Sequence, residues 1–163
     1  MAARPKLLIS ACLLGRAVRY DGSAKPLHSH VIARWAKEGR LVPLCPELLA
    51  GLPTPRPAAE IAGGDGAAVL DGAATIVTGS GDDETAAYLA GAGAALDLAR
   101  RHGCRLALLT DGSPSCGSSF VHDGSFTGRT EAGVGVATAL LRADGVAVFS
   151  PDRIAALARL MDG

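Results

Sequence analysis

Four short, almost wholly apolar runs constrain this chain more than anything else in it: Lys6 to Cys12, Leu41 to Cys45, Arg105 to Thr110 and Val146 to Phe149. Runs of this length without polar alternation mark strands buried on both faces, as in a parallel sheet covered by helices. The segments between them supply such helices. His28 to Glu38 has Val31, Ile32 and Trp35 at helical spacing and ends at Gly39. An Ala-rich stretch after the capping candidates Asp82 and Asp83 runs to about Arg101 and stops at Gly103. Val134 to Arg142 reads as a further helix, and Ser150-Pro151-Asp152 opens a terminal one carrying Ile154, Leu157 and Leu160. Two turn signals predict hairpins: Asp71-Gly72 between Val69–Leu70 and Ala74–Val77, and Asp123-Gly124 within Phe120–Phe126. Pro53, Pro55, Pro57, Gly63 and Gly64 make regular structure unexpected between Pro46 and Gly66. A long loop of this kind inside a compact domain is usually functional. The expectation is an α/β chain of one domain, residues 1–163, with a mainly parallel sheet.

Charge and aromatic content exclude several function classes. Sixteen basic residues balance sixteen acidic ones, so no global positive field is available for a nucleic-acid backbone. Aromatic residues make up 4%, too few for a platform on which successive bases stack. No apolar stretch reaches the roughly 18 residues of a membrane span. Arg4 and Lys6 ahead of an apolar run ending at Cys12 imitate a secretory leader, but only five residues separate Lys6 from Cys12. That is short of the roughly 7 to 15 apolar residues such a leader needs, and a buried first strand explains the run better. A cytoplasmic protein is expected.

The four cysteines, at 12, 45, 104 and 116, form no C-x-x-C pair, so their spacing is silent. Their placement is not. Cys12 and Cys45 end predicted strands and Cys116 lies in the loop after a third, and loops at the carboxyl ends of parallel strands share the edge where ligands bind. Three sulfurs on that edge favour a metal or iron–sulfur site over disulfides, which are uncommon in a reducing compartment; buried cysteines that only pack remain the competing reading. Cys104 precedes its strand and is assigned to packing at the opposite edge. Around the three cysteines stand residues useful beside a ligand: Arg16, Arg19, Tyr20 and Asp21 after Cys12, Glu47 after Cys45, and Ser113 and Ser115 before Cys116. Glu47 is the candidate acid or base, because a carboxylate beside an apolar cluster holds its proton more tightly and can exchange it near neutrality. Ser113 and Ser115 could donate hydrogen bonds to a sulfur or an anion. His28, His30, His102 and His122 form no ligand pattern, and neither a dinucleotide fingerprint nor a Walker A loop is present.

The segments SACLLGRAVRYDG (10–22), LCPELLAGLPTPRPAAEI (44–61), SPSCG (113–117) and DGSFTGRTEAGVGVATALL (123–141) together resemble the TudS-type thiouracil desulfurase family. The resemblance spans nearly the whole chain. It implies a Rossmann-like, three-layer α/β domain with long ligand-binding loops, and a [4Fe-4S] cluster held by Cys12, Cys45 and Cys116 with one iron lacking a protein ligand. Many relatives have a cysteine where this chain has Val18, and often carry charged residues where it has Thr110 to Gly112.

The activity the resemblance implies is non-redox desulfuration of a small thiolated pyrimidine to its keto form, with release of sulfide. Glu47 and Ser113 would be the catalytic pair, and Arg16, Arg19, Tyr20, Asp21 and Ser115 the substrate contacts. Arg16, Arg19 and Lys25 could also hold one phosphate. Two other readings compete: a desulfurase acting on thiolated tRNA, disfavoured by the neutral charge, and a noncatalytic iron–sulfur or zinc module. Zinc would need a fourth ligand that the histidines do not offer.

Overall fold

The computed structural model describes residues 4–163. Its centre is a parallel sheet of β1 (Leu7–Ser10), β2 (Leu41–Leu44), β5 (Leu106–Leu108) and β8 (Ala147–Phe149), in the order β2-β1-β5-β8. All four expected strands form, each slightly shorter than its apolar run. Side chains alternate across the sheet with a period of two. Leu7, Ile9, Leu106 and Leu108 pack with Ile32 and Trp35 of α1 (His30–Lys37) and with Leu157 and Met161 of α6 (Ile154–Asp162). Leu8, Val42, Leu44, Ala107 and Val148 face the other way, against Ala95, Leu96 and Ala99 of α4 (Thr85–His102) and Leu141 of α5 (Val136–Ala143). Helices therefore cover both faces in three layers, which is why the strands carry no polar alternation.

A third apolar cluster sits beside this sandwich. Ile61 of β3 (Ala59–Ala62) and Ile76 of β4 (Thr75–Thr78) pack there with Val69, Tyr88, Ala92, Val121 and Val136. It corrects two expectations. The segment from Pro46 to Gly66 is not structureless: Pro46 starts the short helix α2 (Pro46–Leu49), and β3 pairs antiparallel with β4. The prolines break the chain locally, but burial of Ile61 opposite Ile76 supplies a strand partner from farther along the sequence. Val69 and Leu70 belong to the helix α3 (Gly66–Leu70) and not to a hairpin. Asp65 caps that helix by accepting from the N–H groups of Ala67 and Ala68 at 3.2 and 3.4 Å, and Asp71-Gly72 ends it.

Smaller corrections have local causes. The hairpin expected within Phe120–Phe126 forms over a longer span, with β6 (Phe120–His122) pairing antiparallel with β7 (Thr130–Ala132) across a longer loop that Asp123-Gly124 opens. Asp83 does bond the first N–H of α4, at Thr85, whereas the Asp82 carboxylate pairs with Ser80. The Ser150 hydroxyl turns to Asp152, a 3-10 turn precedes α6, and Met161, not the exposed Leu160, completes its buried stripe. Among the described residues no helix is long and apolar enough to cross a membrane.

Helix α4 approaches the loop after β2 through a glycine. A Cβ on Gly91 would lie 2.4 Å from the Pro46 carbonyl oxygen, so Gly91→Ala must push α2 off the helix. Overpacking of this kind costs roughly 2 kcal/mol, and Tm should fall by roughly 4–8 °C in a melt followed by circular dichroism.

Candidate functional site

Counting only the parallel strands, the sheet runs second, first, third, fourth, and strand order reverses between β1 and β5, the place where open α/β sheets bind ligands. A cavity of about 410 Å³ opens at this carboxyl edge. Cys12, Cys45 and Cys116 all border it, together with Glu47 and Ser113. All three cysteines are free thiols.

Each cysteine is presented by a different local device. Cys12 lies in a 3-10 turn, Ala11–Leu14, directly after β1. Gly15 closes that turn at φ 89°, and the Lys25 N–H donates to the Cys12 carbonyl at 3.1 Å, folding the next loop back over the turn. Cys45 occupies the extended position before α2, where Pro46 fits the first helical turn without needing its missing N–H. Its Sγ lies 3.5 Å from Glu47 Oε2 and 3.9 Å from the Val18 carbonyl. Cys116 hangs on a loop organised by Asp111, whose Oδ1 accepts from the N–H groups of Ser118, Ser119 and Phe120 at 3.1 to 3.2 Å. Ser113 Oγ accepts from the N–H groups of Ser115 and Cys116 at 3.0 and 3.1 Å. Helix α5 must come close to seat this loop: a Cβ on Gly135 would lie 2.4 Å from the Ser115 carbonyl.

Burial dominates the electrostatics of the thiols. It pushes Cys45 up to about 11, with the Glu47 carboxylate adding to the shift. Burial raises Cys116 well above an ordinary thiol, again with Glu47 beside it. Cys12 is also raised by burial, against opposition from Arg19 and Lys25. In all three, burial favours the neutral thiol over the thiolate. Among the described residues no three side chains of His, Cys, Asp or Glu close around a single ion. The three thiols border one cavity, and cysteine thiolates are the usual protein ligands of an iron–sulfur cluster.

The other expected site residues divide. Arg19 and Tyr20 border the cavity, but Arg16, Asp21 and Ser115 do not. Arg16 and Asp21 are exposed on the loop, where Asp21 accepts from the Ser23 N–H at 3.0 Å and so serves the turn. Ser115 is buried behind the wall against α5, with its hydroxyl unpartnered. Cys104 is buried at the amino end of β5, away from the cavity, in the apolar cluster beneath α4 and α5.

Two residues missed in the sequence reshape the surroundings of Glu47. Arg56 places Nη2 3.6 Å from Glu47 Oε2, with only 4% of its side chain exposed. It also donates to the Val18 carbonyl at 3.0 Å and to Thr54 Oγ1 at 3.1 Å. Tyr88 of α4 borders the same cavity, its phenol raised by burial with Glu47 contributing. Glu47 thus faces a guanidinium and a phenol, not the purely apolar cluster expected. The one available signal was a lone arginine between prolines in PTPRP.

Asp111 generates a test of the loop that carries Cys116. Desolvation raises this carboxyl, but the Ser119 hydroxyl and the N–H groups around it outweigh that and lower it below the ordinary value of 3.8. A depressed carboxyl contributes stability that is present above the unfolded value and lost as pH falls through the folded one. Asp111→Ala should cost about 2 kcal/mol at pH 7 in urea unfolding. The difference from the unsubstituted chain should shrink as the pH is taken below about 4.

Known proteins resemble this chain over almost its full length. Residues 7–153 match the family model described as 2-thiouracil desulfurase. A Bacillus subtilis (strain 168) protein named uncharacterized protein YbbK is 43% identical over 148 residues, covering 91% of this chain and 97% of that protein. A solved structure of a [4Fe-4S]-dependent thiouracil desulfidase, TudS, is 46% identical with a TM-score of 0.87, and the match covers 96% of this chain and 97% of that one. With the family model and both relatives spanning almost its full length, the chain belongs to the 2-thiouracil desulfurase family.

Proposed function

We propose that Cys12, Cys45 and Cys116 hold a [4Fe-4S] cluster and that the chain hydrolyses the carbon–sulfur bond of a thiolated pyrimidine. The substrate is of the 2-thiouracil or 4-thiouracil type, as base, nucleoside or nucleotide. The observation that carries this reading is the set of three unpaired thiols on one cavity, with a carboxylate 3.5 Å from one of them. Likeness to a [4Fe-4S]-dependent thiouracil desulfidase supports it. Four free cysteines suit a reducing compartment such as the cytoplasm.

Held by the Cys12, Cys45 and Cys116 thiolates, such a cluster would supply a thiophilic Lewis acid toward the sulfur of the substrate. The chain's own residues handle the protons. Glu47 accepts a proton from the attacking water, whose oxygen bonds to the ring carbon as the carbon–sulfur bond breaks. Arg56 holds that carboxylate in place through the 3.6 Å contact. Ser113 Oγ accepts two backbone N–H groups, so its own O–H is left to orient the water or relay the proton. One thiocarbonyl and one water become one carbonyl and one hydrogen sulfide, with no electrons gained or lost. Arg19 and Lys25 line the mouth and would favour an anionic substituent such as a phosphate, or departing hydrosulfide.

Protein purified without oxygen should contain about four irons and matching labile sulfide per chain. Its visible spectrum should change when 2-thiouracil is added. Glu47→Gln should keep the iron but lower kcat by about 100-fold or more; full activity in that variant would remove Glu47 from the mechanism. Cys12→Ser, Cys45→Ser and Cys116→Ser should each abolish iron binding, whereas Cys104→Ser should not. Turnover of 2-thiouracil compared with its nucleoside monophosphate decides which form is used.

A further inference from the structure

Aromatic residues are scarce in this chain, and most of them stand at one place. Of six in all, four border the cavity: Tyr20, Tyr88, Phe120 and Phe126. Three of those are exposed, at 42%, 37% and 38% for Tyr20, Phe120 and Phe126, while Trp35 is fully buried in the core. Phe126 stands apart within this group. Among the described residues it alone, glycines excepted, has positive φ, at 57°. A bulky side chain is strained in that conformation, and such strain persists where the surroundings impose it.

The imposing contacts are visible. Glu60 of β3 reaches across, and its Oε1 accepts from the N–H groups of Gly124 at 2.9 Å and Phe126 at 3.2 Å. Gly124 lies against β3, where a Cβ would meet the Ile61 carbonyl oxygen at 2.7 Å. The phenyl ring lies over Gly79, just after β4, where a Cβ would sit 3.7 Å from Phe126 Cδ1. Core packing does not account for the arrangement, because Phe126 belongs to none of the three apolar clusters.

We propose that Phe126, pinned by Glu60, is the wall on which the planar ring of the substrate stacks, and so determines the enzyme's preference for flat heteroaromatic thiocarbonyls. This rests on the desulfurase reading above. A phenyl face attracts any pyrimidine and is indifferent to which ring position carries sulfur. Ring class would then be selected at the mouth, and chemistry confined to the thiols and Glu47. Glu60 acts as a positioning residue, since it fixes the backbone that aims the ring.

The test compares the unsubstituted holoenzyme with F126A, F126G, F126L and F126Y in 2-thiouracil turnover and in equilibrium binding of uracil, the unreactive product. Loss of the ring in F126A or F126G should raise KM and the uracil Kd about tenfold, with kcat changed less than about threefold. F126Y should behave as wild type, and F126L, apolar without a π face, should lose most of the affinity. Glycine relieves the positive φ, so F126G should melt no lower than wild type, which separates lost stacking from lost folding. Glu60→Ala, which removes the acceptor, should weaken uracil binding in the same way with an unchanged iron content, and Glu60→Gln, which keeps a side-chain oxygen acceptor, should restore most of it. Unchanged KM and uracil Kd in F126A and F126G would overturn the proposal, as would F126L binding uracil as well as wild type. Absent turnover by the unsubstituted holoenzyme would instead overturn the desulfurase reading, while uracil binding still decides the role of Phe126.

Discussion

Burial of the parallel sheet on both faces is the constraint on which the rest depends. With α1 and α6 on one side and α4 and α5 on the other, no charged or catalytic group can sit on a strand without an uncompensated desolvation cost. Chemistry is confined to the ends of the strands. At the carboxyl edge, where strand order reverses between β1 and β5, the loops after β1, β2 and β5 each deliver one thiol to a shared cavity.

Side-chain hydrogen bonds tie the backbones of these loops. Asp111 gathers the N–H groups at the far end of the Cys116 loop, and Ser113 gathers those at the cysteine itself. Arg56 does the same across the cavity, joining the segment after Cys12, through the Val18 carbonyl, to Glu47. Charge-assisted hydrogen bonds are roughly twice as strong as neutral ones, so half-buried Asp111 and buried Arg56 are the strongest ties on these loops. Glycines at 91 and 135 let α4 and α5 approach the carbonyls of Pro46 and Ser115. The helices that cover the sheet therefore also brace the cysteine loops.

Much of this was legible in the order of residues. Apolar runs without alternation announced Leu7–Ser10 and Leu106–Leu108 as doubly buried strands, and the cysteines at strand ends followed from that reading. Local signals failed where a distant partner decided the outcome. Ala59–Ala62 lies in a Pro- and Gly-rich stretch, yet becomes a strand because Ile61 finds Ile76. Asp71-Gly72 resembles a hairpin turn, yet ends a helix because Asp65 had capped it six residues earlier. Leu160 fits the helical period as well as Met161, and only the position of the sheet leaves the first exposed and the second buried.

By itself the sequence determined the α/β class, the buried sheet, the three cysteines on one edge and Glu47 beside them. These follow from nearest-neighbour patterns: apolar runs, caps, prolines and glycines, whose preferences are set within a turn or two of chain. Tertiary structure alone decided which neighbours each site residue has. It brought Arg56 and Tyr88 to Glu47, left Arg16 and Asp21 outside the cavity, put Ser115 behind its wall and bent Phe126 over Gly79. The reason is physical: ion pairs, hydrogen bonds and ring contacts between residues on different loops and elements depend on how those loops close over a finished core. Beyond the lone arginine among prolines at 53–57, that closure leaves no mark in the local pattern of either partner.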